Sequence, residues 1–209
     1  MNPSLRGLYA IADTQFLDDA HLAPAVEAAI AGGARVVQYR DKKHPPEIRR
    51  RHARKISDLC RRHGVLFLVN DDVALAMETG ADGVHLGRED MGLRAARALI
   101  GDNKLIGVSC YNELERARAA EQDGADYIAF GSFFPSRTKP GAIRATPELL
   151  RAARTQLRIP VVAIGGITPE NGATLIEAGA DMLAVIEGVF GQPDIRAAAQ
   201  RYADLFPKT

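Results

Sequence analysis

Short apolar runs and longer amphipathic segments alternate along the chain. Four of the apolar runs belong to a recurring phrase of Gly-Ala, one polar residue and an apolar stretch: GGARVVQY, TGADGVHL, DGADYIAF and AGADMLAV. Each phrase follows a helical pattern, so its Gly is placed to end a helix and the apolar run that follows is typical of a strand. The phrases recur about every 45–55 residues, twice the length of one β-α unit.

A second set of strands is predicted between these phrases. Its members are LYAIAD at 8–13, LFLVND at 66–71, KLIGVSC at 104–110 and PVVAIGGI at 160–167. Helical patterns such as ELERARAAEQDG and PELLRAARTQL fill the gaps. The pattern therefore predicts eight strands and eight helices in alternation, with no linker, as a single domain over residues 1–209.

The strands are apolar along most of their length, which favours a parallel sheet covered on both faces. Eight β-α units in a chain of 209 residues fit an α/β fold of the closed (β/α)8 TIM-barrel type. A doubly wound open sheet is the alternative, but no GxGxxG follows the first strand.

The near-zero net charge argues against several classes of binding partner. With 209 residues and a net charge of +1, the chain has no field that would attract nucleic acid or an anionic membrane. The basic stretch RRRHARK at 49–55 is explained as the solvated face of an amphipathic helix, whose apolar stripe is Ile48, Ile56 and Leu59. No run approaches ~18 apolar residues, so no membrane span is predicted and a cytoplasmic location is expected.

The two cysteines give no sign of a metal or disulfide framework. Cys60 and Cys110 lie far apart and belong to no CxxC or Cys/His cluster, so neither structural zinc nor a secreted disulfide scaffold is expected from them.

In a barrel of this kind the active site forms at the carboxyl ends of the strands. The residues that follow the apolar runs are largely charged, polar or glycine. They are Gln38, Arg40 and Lys42 after strand 2; Asn70, Asp71 and Asp72 after strand 3; His85, Arg88, Glu89 and Asp90 after strand 4; Ser109 after strand 5; Ser136, Thr138 and Lys139 after strand 6; Gly165 and Gly166 after strand 7; Glu187 and Gly188 after strand 8.

Two kinds of charge meet at this rim. Arg40, Lys42 and Lys139 are cations from different strand ends, and Asp71 and Asp90 are acids on neighbouring strands. Mg²⁺ takes one or two carboxylates and fills its other positions with water and substrate phosphate. The combination therefore predicts a Mg²⁺-bound pyrophosphate.

A second phosphate position is predicted after strands 7 and 8. Gly165, Gly166 and Gly188 lie where barrels often bind a phosphate through backbone N–H groups. The rim is thus predicted to hold two phosphorylated ligands.

Some of these residues also have purely structural interpretations. Asp71 could be a helix N-cap, although Asp72 is better placed to cap and is kept out of the metal site for that reason. His85 alternates with Val84 and Leu86, which favours a packed strand histidine over a catalytic base.

Seven motifs carry a resemblance along nearly the whole chain: QYRDK, VNDD, GADGVHLGREDM, IGVSCYN, AFGSFFPSRTKPGA, AIGGITPENG and LAVIEGVFG. In this order they resemble the thiamine-phosphate synthase family. The resemblance implies a (β/α)8 barrel that condenses hydroxymethylpyrimidine diphosphate with a thiazole phosphate, giving thiamine phosphate and pyrophosphate.

The resemblance also implies a role for individual residues. The residues expected to hold the pyrimidine diphosphate are Gln38, Tyr39, Arg40, Asp41, Lys42, Asn70, Ser109 and Lys139, with Arg40, Lys42, Ser109 and Lys139 acting in catalysis. The residues expected to meet the thiazole phosphate are Ser136, Arg137, Thr138, Gly166, Ile186 and Glu187. Asp71 and Asp90 would ligate Mg²⁺.

Two positions depart from the family pattern. Arg88 stands where the family usually has Gln, and Glu187 stands where many members have a small hydroxyl residue. A carboxylate facing a phosphate would be repulsive, so Glu187 is expected to offer only its backbone or to point away.

The expected chemistry is ionisation of the pyrimidine methylene–pyrophosphate C–O bond, followed by attack of the neutral thiazole nitrogen. Such a reaction needs positioning and charge neutralisation, and the rim has no obvious Ser-His or Cys-His pair. The partners are expected to be small molecules, with a homo-oligomer left open. The alternatives are a thiazole tautomerase, a sugar-phosphate epimerase and a non-catalytic sensor of a thiamine precursor. The polar loop 132–145 is the predicted lid.

Overall fold

A computed structural model of the chain describes residues 5–135 and 143–207. Eight parallel strands close into one barrel, in which each strand pairs with the next and β8 pairs with β1. The strands are β1 Gly7–Asp13, β2 Ala34–Arg40, β3 Leu66–Asn70, β4 Gly83–Leu86, β5 Leu105–Tyr111, β6 Tyr127–Phe130, β7 Val161–Ile164 and β8 Met182–Val185. The predicted TIM barrel is confirmed, every predicted strand overlaps an observed one, and closure excludes the open sheet.

Helices follow the strands around the outside of the barrel. They are α1 Leu22–Ala31, α2 Pro46–His63, α3 Val73–Glu78, α4 Leu93–Ile100, α5 Leu114–Gln122, α6 Pro147–Gln156, α7 Pro169–Glu177, α8 Glu187–Phe190 and α9 Ile195–Ala203. The described part of the chain thus has one helical segment more than the eight predicted. The addition is α8, a four-residue turn that directly follows β8.

The recurring Gly-Ala-polar phrase ties strands together at the amino-terminal end of the barrel. At three of its four occurrences the polar residue is an Asp whose carboxylate accepts a backbone N–H near the start of the preceding strand. These residues are Asp82, Asp126 and Asp181, at distances of 2.8, 2.7 and 2.9 Å. The glycine two positions earlier has a positive φ, from 65° at Gly80 to 118° at Gly179, as its predicted helix-ending role requires.

Side chains alternate along each strand between the helix layer and the barrel interior. In β1, Leu8 and Ala10 belong to the large core cluster shared with the helices, whereas Tyr9 and Ile11 belong to a separate cluster inside the barrel. The buried residues of that interior cluster are Leu5, Tyr9, Ile11, Val36, Leu68, Tyr127, Ala129, Val162, Met182 and Ala184. The face on which a strand residue lies therefore decides whether it can reach a ligand inside the barrel.

The basic stretch at 49–55 is part of α2, as predicted. Ile56 and Leu59 are buried on its inner face, and Arg49 forms an ion pair with Asp72 at 2.7 Å. Within the described ranges, no helix is both long and apolar enough to cross a membrane.

Candidate active site

A cavity of about 980 Å³ opens at the carboxyl ends of the strands. All eight strands, or the segments that directly follow them, contribute to its wall. The predicted site residues that line it are Gln38, Arg40, Asn70, Ser109, Gly165, Gly166, Ile186, Glu187 and Gly188. The structure therefore brings together residues that the sequence places at five different strand ends.

Among the predicted pyrimidine-site residues that the structure describes, Tyr39, Asp41 and Lys42 do not line the cavity, and Lys42 lies beside it on Asp71. Gln38 and Arg40 project inward, so the residues beside them in an extended strand project towards the helices. The Tyr39 ring is buried and its hydroxyl donates to Oδ2 of Asp41 at 2.6 Å. The prediction treated QYRDK as one contiguous contact surface, whereas strand alternation makes only every second side chain available.

Lys42, Asp71 and Asp90 form a charged group at three neighbouring strand ends. The Lys42 ammonium makes an ion pair with the Asp71 carboxylate, and the Asp71 carboxyl is within hydrogen-bonding reach of Asp90. Asp90 Oδ2 also accepts the N–H of Gly87 at 2.7 Å. Asp71 has a φ of 63°, a left-handed conformation that Asp and Asn adopt more readily than other side chains.

The two carboxyl groups perturb each other's ionisation. Burial raises the pKa of Asp71, and the neighbouring Asp90 raises it further. Burial also acts to raise the pKa of Asp90, but hydrogen bonds from the Asp71 carboxyl and the Gly87 N–H outweigh it, and that pKa is lowered. A divalent cation would relieve the repulsion between these two carboxyl groups, because its positive charge favours the ionised form of both. Two hard oxygen ligands at the rim of the cavity fit Mg²⁺.

Asp72, by contrast, has the structural role predicted for it. Its carboxylate caps α3 by accepting the backbone N–H of Leu75 at 2.9 Å. The alternative in which Asp71 caps this helix therefore does not apply.

Arg40 is anchored by an acid that the sequence analysis did not single out. Its Nη1 donates to Oδ2 of Asp13 at 2.5 Å, and Asp13 is fully buried. The two residues are register partners on β1 and β2. Because one edge of the guanidinium is held in this way, Arg40 presents a fixed cationic group to the cavity that it lines.

A chain of hydrogen bonds crosses the barrel beneath the cavity. Gln38 Nε2 donates to the Tyr9 hydroxyl at 2.6 Å, and this hydroxyl lies 3.0 Å from that of Tyr127. The Tyr127 hydroxyl is 3.0 Å from Nδ1 of His85, and Nε2 of His85 is 2.9 Å from Oγ of Ser109. Burial raises the pKa of both tyrosines, so both hydroxyls keep their protons.

His85 and Ser109 form a Ser-His pair at the cavity, so the expectation that the rim has no such pair was wrong. The His85 ring is held as a packed strand histidine would be, stacked on Tyr127 with centroids 5.6 Å apart, but it also lines the cavity. Because Gln38 donates to the Tyr9 hydroxyl, the consistent order is that Tyr9 donates to Tyr127 and Tyr127 donates to Nδ1 of His85. Nε2 of His85 then carries the ring proton and donates it to Ser109. Gly107 makes the arrangement possible, because a Cβ there would lie 1.9 Å from Cζ of Tyr127.

The opposite wall is built from the close approach of two backbone segments. The N–H of Phe134, just after β6, donates to the carbonyl of Gly165 at 2.9 Å. Gly166 has a φ of +63°, and a Cβ there would lie 2.3 Å from the carbonyl oxygen of Pro135. Only glycine therefore fits at the predicted thiazole phosphate position on β7.

Four predicted site residues lie outside the described residues: Ser136, Arg137 and Thr138, predicted for the thiazole phosphate, and Lys139, predicted for the pyrimidine diphosphate. The predicted lid, 132–145, is described only at its two ends.

Glu187 begins α8 and lines the cavity together with Ile186. Its Cγ lies alongside Gly191, where a Cβ would be 2.9 Å away. The first part of the side chain therefore lies along α8, towards the carboxyl end of that helix.

Arg88, the other departure from the family pattern, covers part of the rim. Its guanidinium lies 4.7 Å from the centroid of the Tyr111 ring and makes an ion pair with Glu113. All three line the cavity, and only Arg88 was noted in the sequence. Tyr111 follows Ser109 by two positions, so the alternation of β5 is the signal that could have found it.

The cavity at the carboxyl ends of the strands defines a TIM-barrel enzyme with an acidic pair and basic side chains on one rim. Residues 8–189 match the protein family described as thiamine monophosphate synthase. The chain is 52% identical over 207 residues to the thiamine-phosphate synthase of Nitrosococcus oceani, covering 99% of this chain and 95% of that one. The chain therefore belongs to the thiamine monophosphate synthase family of enzymes.

Two further relatives show the same breadth of similarity. The thiamine-phosphate synthase of Chromobacterium violaceum is 52% identical over 206 residues, covering 99% of this chain and 99% of that one. Among solved structures, thiamine phosphate pyrophosphorylase from Pyrococcus furiosus superposes with a TM-score of 0.88 at 37% identity, covering 97% of this chain and 96% of that one.

Proposed function

We propose that this chain is a thiamine-phosphate synthase that joins a pyrimidinylmethyl diphosphate to a thiazole phosphate and releases pyrophosphate. The observation that carries the proposal is the group of Lys42, Asp71 and Asp90 beside a cavity whose walls include Arg40 and Gly166. The acidic pair and the two cations suit a magnesium diphosphate, and the glycine wall suits a second, smaller phosphate. The similarity of whole relatives named thiamine-phosphate synthase supports this substrate pair.

In this proposal Asp71 and Asp90 hold Mg²⁺. When bound, the ion supplies positive charge against the pyrophosphate that leaves. Arg40 and Lys42 add to that charge from β2, and Lys139 is proposed to do so from the segment after β6. Because these groups act on charge that grows during C–O cleavage, they favour the transition state over the bound substrate.

The pyrimidine is proposed to lie above the hydrogen-bonded chain in the barrel interior. Gln38, Asn70 and Ser109 are the polar wall residues that can orient its ring nitrogens and amino group. Ionisation leaves a cationic methylene that the amino-substituted ring delocalises. The thiazole nitrogen then forms the C–N bond with its lone pair, so no protein base is needed.

The thiazole phosphate is proposed to occupy the wall formed by Gly166 and Ile186, and Ser136, Arg137 and Thr138 are proposed as further contacts to it. Glu187 is proposed to contribute only its backbone. This arrangement places the nucleophile and the diphosphate on opposite sides of one cavity, which is the positioning that a two-substrate condensation requires.

The test is to incubate the purified chain with both precursors and Mg²⁺, then measure thiamine phosphate and pyrophosphate together. Equimolar formation of both products is expected, and none should form when either precursor is left out or a chelator is added. A thiazole tautomerase would instead convert a thiazole phosphate isomer with neither Mg²⁺ nor the pyrimidine present. Binding of the precursors without any product would favour a sensor and contradict the proposal.

A further inference from the structure

Away from the cavity, the described residues contain one group of three metal-ligating side chains: Asp19, His44 and His52. Asp19 lies between β1 and α1, His44 lies between β2 and α2, and His52 is in the second turn of α2. Each offers one ligand atom, and the three atoms lie within 4.8 Å of one another. We infer that these residues form a site for a divalent transition-metal ion of the zinc type, separate from the Mg²⁺ position.

The distances suit such an ion. Nε2 of His44 is 3.2 Å from one carboxylate oxygen of Asp19, and Nε2 of His52 is 3.6 Å from the other. Zinc bonds of ~2.0–2.1 Å in a tetrahedral arrangement separate the ligand atoms by about 3.3 Å. The contacts to Asp19 are already close to this value. The two imidazole rings are nearly perpendicular, with centroids 5.4 Å apart.

The imidazoles are oriented from behind by one buried acid. Nδ1 of His44 is 2.9 Å from Oδ2 of Asp41, and Nδ1 of His52 is 3.4 Å from the Tyr39 hydroxyl. That hydroxyl in turn donates to Asp41 at 2.6 Å. Both Nδ1 atoms can therefore carry the ring proton, which leaves the Nε2 lone pairs directed at the proposed ion. Metal-binding histidines in proteins are commonly oriented by a carboxylate in this way.

The Asp41 carboxylate is held in place by several hydrogen bonds. Its Oδ1 accepts the Thr14 hydroxyl at 3.0 Å and the backbone N–H groups of Lys43 and His44, both at 3.1 Å. Burial acts to raise its pKa, but the hydrogen bonds from Tyr39 and these N–H groups outweigh it and hold that pKa well below the usual range. A carboxylate that stays ionised while buried keeps both Nδ1 protons in place.

Burial lowers the pKa of His52, which favours the neutral ring that binds a metal. The neighbouring groups that act on this ring are Asp19 and Asp41, which raise its pKa, and His44 and Arg51, which lower it.

The donor set separates this site from the rim. Two imidazoles and one carboxylate select zinc-like ions, whereas two carboxylates with phosphate select Mg²⁺. None of Asp19, His44 and His52 lines the cavity. The proposed ion would link the segment after β1 to the segment after β2, and the second of these carries Lys42.

The test uses chelator-treated, full-length protein titrated with Zn²⁺ by calorimetry and with Co²⁺ by visible absorption. One equivalent is expected to bind, with the intense ligand-field bands of a four-coordinate Co²⁺ site that excess Mg²⁺ does not remove. His44→Gln should weaken binding by about 100-fold, and Asp19→Asn by about 10-fold or more. Bound Zn²⁺ should also raise the melting temperature of the parent protein but not that of His44→Gln.

Asp18→Asn is the matched control, because it removes the same charge one residue away, and it should bind as the parent does. Asp71→Asn should also bind normally, since it alters only the rim. The inference is overturned if no stoichiometric binding occurs, or if His44→Gln and Asp19→Asn bind as tightly as the parent. Loss of binding in Asp71→Asn, or an equal loss in Asp18→Asn, would overturn it as well.

Discussion

His85 and Ser109 are joined by a 2.9 Å contact between Nε2 and Oγ, with His85 fixed from behind by the hydroxyl of Tyr127. This contact links the buried layer of the barrel to a residue predicted to touch the pyrimidine diphosphate. Ser109 thus has an oriented hydroxyl, because its partner His85 is hydrogen-bonded to the Tyr127 hydroxyl and stacked on the Tyr127 ring.

His85→Asn should lower kcat/KM for the pyrimidine diphosphate by about 10- to 100-fold, since it frees Ser109 from its orientation. The effect should be absent from the KM for the thiazole phosphate. His63→Gln, an exposed histidine at the end of α2, is the control. A double-mutant cycle with Ser109→Ala decides whether the two act together, and strictly additive effects would contradict the proposed coupling.

Asp71→Asn should lower kcat by ~10²-fold or more under saturating substrates, because it removes one of the two proposed magnesium ligands. Asn is the appropriate substitute, since it tolerates the φ of 63° at this position and so separates loss of charge from backbone strain.

Asp72→Asn is the matched control for Asp71→Asn, with the same loss of charge one residue later. Asn is itself a good N-cap, so α3 should persist and turnover should stay near that of the parent. Steady-state rates across a range of Mg²⁺ concentrations make the comparison. Equal rates for Asp71→Asn and the parent would remove Asp71 from the metal site.

The strands could be predicted because continuous apolar runs are a local property, and the repeat supplied their number. Alternation could also have divided QYRDK into inward and outward members, which would have indicated that the side chains of Tyr39 and Asp41 do not line the cavity. The pairing of Asp13 with Arg40 could not be predicted, because it depends on the register between β1 and β2. Contacts across strands or between loops, such as that of His44 with Asp19, produce no periodic pattern in a single sequence and so cannot be predicted from it.

Asp13→Asn should reduce kcat/KM for the pyrimidine diphosphate by about 10-fold, because a neutral amide no longer fixes the Arg40 guanidinium. Some loss of stability, about 1–3 kcal/mol, should accompany it, since a buried charge-assisted hydrogen bond is removed. Chemical unfolding and kinetics are measured on the same samples. The effect of Asp13→Asn is then compared in the parent and in the Arg40→Ala variant. If the loss of activity is the same in both, Asp13 does not act through Arg40.

Both thiols should resist alkylation in the folded protein. Cys60 and Cys110 are fully buried, and burial raises the pKa of each to about 12. At pH 8 only ~10⁻⁴ of each would be thiolate, the reactive form. Mass spectrometry after iodoacetamide treatment should find no adduct on the native chain and two on the urea-unfolded chain. A rapid single adduct on native protein would contradict this placement.

Gly166→Ala and Gly64→Ala together separate backbone strain from steric exclusion at the proposed thiazole phosphate wall. The two glycines have nearly the same φ, +63° and +65°. A Cβ at Gly64 would meet nothing within 4 Å, whereas one at Gly166 would lie 2.3 Å from the Pro135 carbonyl oxygen. Both variants should lose about 1 kcal/mol of folding stability from left-handed backbone strain.

Only Gly166→Ala must also push the segment after β6 away from the segment after β7, so its KM for the thiazole phosphate should rise by about 10-fold or more. Substrate titrations on both variants make the measurement. An unchanged KM in Gly166→Ala would show that the thiazole phosphate does not depend on this close approach of β6 and β7.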